Sequence, residues 1–224
     1  SMLIEWMENG GKIVLITDYI SEGQMTNLLS VTEAMGMTAR NGLVVEGDSY
    51  MHVGRYPYYL LPDIISHEIT DALIDGGYYV LMPLAQGIDT VEGTSATVTN
   101  LLSTSSAAYA KADGMDTATT EKEDGDIEGI FHIGAVSELG DGKLVWFASA
   151  GMLDSYIDQT VSGANGNLFL NALNWMGGQV ESISIRAKSL DSVSLTVTGA
   201  QSSFWSIVMI GLIPLGLVAL GLTV

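Results

Sequence analysis

The chain contains no cysteine. Disulfides, thiolate metal ligands and a cysteine nucleophile are therefore excluded. Basic residues are also scarce. Eight Lys and Arg stand against 26 Asp and Glu, a formal net charge of -18. Such a balance repels phosphate backbones and anionic headgroups, so no nucleic-acid partner is expected. The three histidines, His52, His67 and His132, lie far apart in the chain. No G-x-S-x-G elbow and no H-E-x-x-H run occurs. Gly10-Gly11-Lys12 precedes an apolar run, whereas a phosphate loop follows one, and the turn after that run carries two acids. The acidic stretch Glu121 to Asp126 lacks the ligand order of a calcium loop and reads as a solvated surface. No enzymatic activity, metal or cofactor is expected from these absences.

Charge is missing altogether from one long segment. Phe204 to Val224 reads FWSIVMIGLIPLGLVALGLTV, 21 residues with no charged side chain. About 20 such residues in a helix cross a hydrocarbon layer roughly 30 Å thick. Phe204 and Trp205 open the segment, where aromatic rings favour the membrane interface. Pro214 is tolerated in such a helix when neighbouring groups satisfy the freed carbonyl. A single transmembrane helix over residues 204–224 is expected. The few bases ahead of it suit an extracytoplasmic domain. At the other end, Ser1-Met2 stands before a helix already under way at Leu3, so a fragment without its native N-terminal part is expected.

What remains is rich enough to build a core. Of the 224 residues, 47% are hydrophobic, more than a disordered chain carries. Leu3, Trp6 and Met7 share a helical face, and Gly10-Gly11 stops that helix. Ile13 to Ile16 form a continuous apolar run, as in a strand covered on both faces. A helix over Met25 to Met35 and a strand over Leu43 to Glu46 follow, which predicts a right-handed βαβ unit. Further strands are predicted at Tyr78–Met82, around Leu101-Leu102 and over Ile130–Leu139. Asp141-Gly142 reads as a hairpin turn leading into a central strand, Lys143–Ala150. A short helix is expected from Ser66, as its cap, to Asp75. Leu168, Phe169, Ala172, Leu173 and Met176 line one stripe of another helix. Alternating strands and helices predict an α/β domain over residues 1–182 with a mostly parallel sheet, then an extended stalk over 183–203.

In such a sheet, ligands sit beyond the C-terminal ends of the strands. Asp18 and Asp48 are expected at that edge, under the tyrosine-rich loop from Tyr50 to Tyr59. His52 and His67 flank the loop. Asp18, Asp48, His52, Tyr56 and His67 are therefore the candidate ligand-binding residues. Acidic and aromatic groups together suit a sugar or a cation. The same aspartates equally suit capping roles.

Several segments, taken in order, resemble a known family. They are GGKIVLITDY with NLLSVTEAMGM, GLVVEGD, PDIISHEIT with YYVLMPLAQGI, LLSTS, KLVWFASAGMLD, and GNLFLNALNWMGG followed by ISIRAKS and the terminal apolar helix. The chain resembles the extracytoplasmic domain of the ABC-transporter auxiliary family, the group that includes the GldG gliding-motility protein. The resemblance implies a flavodoxin-like or class I glutamine-amidotransferase-like fold. It also implies a non-enzymatic, substrate-engaging or accessory subunit in the cell membrane, beside an ABC-type permease and a separate ATPase. Where relatives carry a GD-S-D turn, this chain has Ala150-Gly151-Met152. The alternative function is a cell-envelope glycan hydrolase or carbohydrate-binding domain using the acidic, tyrosine-rich edge.

Overall fold

The structure is a computed structural model that describes residues 2–178 and 197–222. In chain order its strands are β1 (Lys12–Ile16), β2 (Met37–Val45), β3 (His52–Val53), β4 (Tyr56–Leu60), β5 (Asp63–Ile64) and β6 (Met82–Pro83), then β7 (Gln86–Thr90), β8 (Thr97–Ser103), β9 (Tyr109–Lys111), β10 (Ile127–Glu128), β11 (His132–Leu139) and β12 (Gly142–Phe147). Its α-helices are α1 (Met2–Glu8), α2 (Thr26–Ala34), α3 (Asp71–Asp75), α4 (Ser155–Thr160), α5 (Ala164–Gly177), α6 (Gly199–Ser206) and α7 (Ile213–Leu222).

The strands form three sheets, ordered β1-β12-β11-β8-β5, β10-β9-β2-β7 and β3-β4-β6. Only β1 and β12 pair in parallel among the described residues; the other ladders are antiparallel. The expected mostly parallel, flavodoxin-like or amidotransferase-like sheet is thus replaced by a mixed α/β fold with mostly antiparallel sheets. The predicted βαβ unit also fails. Helix α2 does follow β1, but β2 joins the second sheet, between β9 and β7.

The physical reason lies in how apolar runs are covered. Along β12, Val145 and Phe147 enter one buried cluster, and Leu144 and Trp146 enter another, joined by Ala148 just after the strand. Along β1, Val14 and Ile16 pack on the first, and Ile13 and Leu15 on the second. The first cluster is closed by Leu73 of α3, Ile157 of α4 and Leu168, Ala172 and Met176 of α5. The second is closed by Met7 of α1 and Val31 of α2, with Met37 and Ile88 from the neighbouring sheet. Both faces of β1 and β12 are therefore covered, which makes these two strands continuous apolar runs whatever the direction of their neighbours.

Two local differences have equally specific causes. The strand expected over Tyr78–Met82 shrinks to Met82–Pro83. Val80 and Leu81 are buried, but the backbone groups of Leu81 bond the side chain of Asn165: its N–H donates to Oδ1 at 2.9 Å and its carbonyl accepts from Nδ2 at 2.7 Å. The helix expected from Ser66 begins only at Asp71. The Asp71 carboxylate accepts from the Ser66 hydroxyl and the His67 N–H, so it organises the turn that Ser66 was expected to cap.

The C-terminal segment is one continuous helix. It runs through α6, a π-helical stretch at Ile207–Leu212, and α7. Pro214 lies in the first turn after the π stretch. Proline has no N–H and crowds the carbonyl four residues back, and a π-turn relieves both effects. Within the helix from Gly199 to Gly221, the most apolar 18-residue stretch has a mean hydropathy of 2.2, and none of that stretch is buried within the protein. The helix is long and apolar enough to cross a membrane. The ISIR stretch and most of the expected stalk lie outside the described residues.

Candidate functional site

Of the five candidate residues, Asp48, His52 and Tyr56 belong to one lobe, and Asp18 and His67 lie elsewhere. Among the described residues no hydrogen bond or ion pair joins any two of them.

The lobe is built by the turn after β2 and the β3–β4 hairpin. Asp48 makes an Asx turn, its Oδ1 accepting from the Tyr50 N–H at 2.9 Å. Its own N–H donates to Glu46 Oε1 at 2.9 Å. Glu46 is buried and also accepts from the Ser105 N–H at 3.0 Å and the Ser105 hydroxyl at 2.6 Å. This carboxylate ties the end of β2 to the loop before β9. Tyr56 is exposed, and its ring meets those of Tyr58 and Tyr59 at centroid distances of 6.0 and 5.5 Å. Offset and edge contacts of this kind stabilise aromatic clusters. Tyr59 in turn packs on the first core cluster, which anchors the group.

His52 faces a different partner. Its Cε1 lies where a Cβ on Gly199 would stand, at 2.6 Å. The first turn of α6 is laid directly on this hairpin. The Ala200 N–H donates to the Ser49 carbonyl at 2.9 Å, the Gly54 N–H donates to the Val197 carbonyl at 3.4 Å, and Val53 forms an antiparallel bridge with Thr198. Thr198 and Gln201 close a capping box at the start of the helix. The apolar helix is thus bolted to the domain by backbone contacts. Only Gly at position 199 lets the two backbones approach this closely.

Asp18 is exposed beyond the C-terminal end of β1. The edge beside it is occupied by protein. The Ile20 backbone exchanges two hydrogen bonds of 2.9 Å with the Gln86 side chain. The Gln86 N–H bonds Ala148, and Trp146 Nε1 donates to the Thr17 hydroxyl at 3.0 Å. Ile20, Gln86, Thr17 and Ser149 are all buried.

His67 is at the opposite end of the same strand pair. Its ring packs edge-on to Trp175 at 5.4 Å, and the Lys143 ammonium sits 3.7 Å over that tryptophan. Lys143 pairs with Lys12, the first residue of β1. Six residues of extended chain then separate this end from Asp18, about 20 Å. Burial holds the His67 pKa below the ordinary imidazole value, against the raising influence of Glu68, Glu138 and Asp71. Burial also lowers His132, against Asp89. His52 and His132 each carry a buried Nδ1 with no hydrogen-bond partner among the described residues.

The acidic stretch read as a solvated surface is pinned by a buried cation. Lys111 is 1% exposed and its ammonium donates to Glu123 and Asp126 at 2.7 Å and to the Glu121 carbonyl at 2.8 Å. Burial opposes the ammonium, but the bonds to Asp126 and Glu123 outweigh it and raise the Lys111 pKa. Asp126 is lowered: burial pushes it up, and Lys111 with the N–H groups of Glu123 and Ala112 more than offsets this. No group of three or more His, Asp or Glu is placed to hold a metal ion among the described residues.

Sequence reasoning missed Glu46, Lys111 and Asn165 as organising residues. One signal was legible for Lys111, a lone base just ahead of an acidic run. No family model and no curated protein matches the chain. A solved structure described as the mmIFT52 N-terminal domain is similar to it, with a TM-score of 0.52 and 18% identity, over 78% of this chain and 68% of that one. At that identity the likeness is one of fold alone.

Proposed function

We propose that the chain is a non-enzymatic, membrane-anchored accessory subunit that holds an α/β domain in a set orientation at the extracytoplasmic face of the cell membrane, beside an ABC-type permease and a separate ATPase. The joint at Gly199 carries this reading. A domain tethered only for retention needs no more than a flexible linker, whereas the backbone hydrogen bonds donated by Ala200 to Ser49 and by Gly54 to Val197 hold the start of α6 on the hairpin and transmit orientation. The uncharged helix from Gly199 to Gly221 supplies the anchor. The ordered resemblance from GGKIVLITDY to NALNWMGG supplies the partners. Further support is that Asp48 is committed to a turn, and that Thr17, Ile20 and Gln86 fill the strand edge beside Asp18.

Affinity capture of the tagged chain from mildly solubilised membranes tests the partners. A multi-spanning permease and an ATPase are expected in stoichiometric amounts, and recovery of the chain alone refutes the assignment. Sidedness is read by a membrane-impermeant maleimide on intact cells bearing a single cysteine at Asp141. Labelling before lysis is expected; labelling only after lysis refutes extracytoplasmic placement.

A further inference from the structure

The joint fixes more than orientation. A Cβ on Gly199 would meet Ser49, His52 and Gly54, and Phe204 begins the apolar run five residues later. At about 1.5 Å per residue, the contact lies roughly 7.5 Å above the level of Phe204. Phe204 and Trp205 are exposed and stack edge to face at 5.4 Å, the residue types that settle at the membrane interface. The headgroup layer on each side of the hydrocarbon is itself about 5–8 Å deep. The Ser49 turn, which accepts from Ala200, is therefore at the outer edge of the headgroup layer, and the hairpin tip, where Gly54 bonds Val197 two residues farther from Phe204, lies just above it, within reach of long side chains. The segment over residues 49–56 carries two well-exposed tyrosines, Tyr50 at 66% and Tyr56 at 52%, with Arg55 exposed at the hairpin tip between them.

We infer that the Tyr50–Tyr56 segment is a second membrane contact, docking its tyrosine rings and Arg55 into the zwitterionic headgroup layer around the helix. This rests on the reading of residues 199–221 as membrane-spanning. Tyrosine suits the position because its ring is apolar and its hydroxyl stays hydrated. Zwitterionic lipid is the occupant because a chain of net charge -18 is repelled by an anionic surface. A domain held by a helix and a hairpin has two attachments and does not swing about the helix axis.

The absence of cysteine makes the test direct, since one introduced thiol takes one label. The full chain is reconstituted in phosphatidylcholine vesicles with a bimane at Arg55→Cys, Leu215→Cys or Asp141→Cys. Position 141 is the far reference. It lies in the turn before β12, and the other end of β12 leads to Ser149, which bonds Pro83 in the hairpin's own sheet. Quenching is measured with lipids carrying nitroxide on the headgroup or deep in the acyl chain. The label at 55 is expected to be quenched by headgroup nitroxide several-fold more than the label at 141. Replacing Tyr50 and Tyr56 by Ser is expected to remove about half of that quenching or more, with the melting temperature confirming a folded variant. If the label at 215 escapes acyl-chain nitroxide, the spanning helix itself is refuted. If 215 is quenched and 55 matches 141, the helix stands and the second contact is overturned. Quenching at 55 that ignores the tyrosine replacements overturns their role as anchors.

Discussion

Replacing Gly199 by Ala places one methyl group where three atoms already stand. The added Cβ would lie 2.6 Å from His52 Cε1, 2.7 Å from the Gly54 carbonyl oxygen and 2.9 Å from the Ser49 carbonyl oxygen. Two of these are backbone atoms, so rotation of a side chain relieves only part of the clash. The first turn of α6 must lift, which breaks the Ala200–Ser49 and Gly54–Val197 hydrogen bonds. Each is worth about 0.5–1.5 kcal/mol net, so the joint weakens by about 1–3 kcal/mol. Alanine's better helix propensity, up to about 1 kcal/mol in a helix interior, offsets little at the first helical position. The expected effect is a roughly 5- to 150-fold increase in opening of the joint. Hydrogen exchange in lipid nanodiscs reads this directly at the Ala200 and Gly54 amides, while core amides such as Val145 keep their protection. Gly211→Ala is the control, because nothing lies within 4 Å of its added Cβ. Unchanged exchange at Ala200 and Gly54 in the Gly199 variant would refute the reasoning.

Other outcomes follow from the buried polar groups. Asn165→Ala leaves the Leu81 N–H, the Leu81 carbonyl and the Met152 carbonyl without their partner. A destabilisation of about 2–4 kcal/mol is expected in denaturant unfolding, and a loss below half a kcal/mol would contradict the bridging role. The Asp126 pKa is lowered in the fold, so its stabilising contribution is complete above the unfolded value near 3.8 and is lost as pH falls through the lower folded value. Amide shifts of Ala112 and Glu123, which both donate to Asp126, are expected to titrate together below the ordinary carboxylate range. Asp126→Asn is expected to abolish that titration; its persistence would assign it to another acid.

Much of the local structure was legible in the sequence. Helices α1, α2 and α5 follow from apolar spacing closed by Gly10-Gly11, Gly36 and Gly177-Gly178, because such signals act within a few residues. The β11–β12 hairpin follows from its glycine turn, and the C-terminal helix from its missing charge. The assembly of the sheets was not legible. Apolar runs in β1 and β12 signal coverage of both faces, and two separate clusters provide that in a mixed sheet as well as helices do in a parallel one. Polar organising contacts were also hidden. Glu46 finds Ser105 across 59 positions and Asn165 finds Leu81 across 84. Neither distance leaves a local pattern. For the candidate site, the segment read as a tyrosine-rich loop over the sheet edge is the β3–β4 hairpin, and Asp18 and His67 lie apart from it. Its neighbour was not foreseeable, since the joint depends on Val197 to Ala200 folding back onto Ser49 to Gly54.

That joint is the point on which the account turns. Nitroxide labels at Arg55→Cys and Ser203→Cys, both exposed positions on either side of the contact, report it in the full chain held in phosphatidylcholine nanodiscs. Pulsed dipolar spectroscopy between the two is predicted to give one narrow distance distribution, broadening in the Gly199→Ala background. A broad distribution in the unaltered joint would contradict a domain that rides on its membrane helix as a single body.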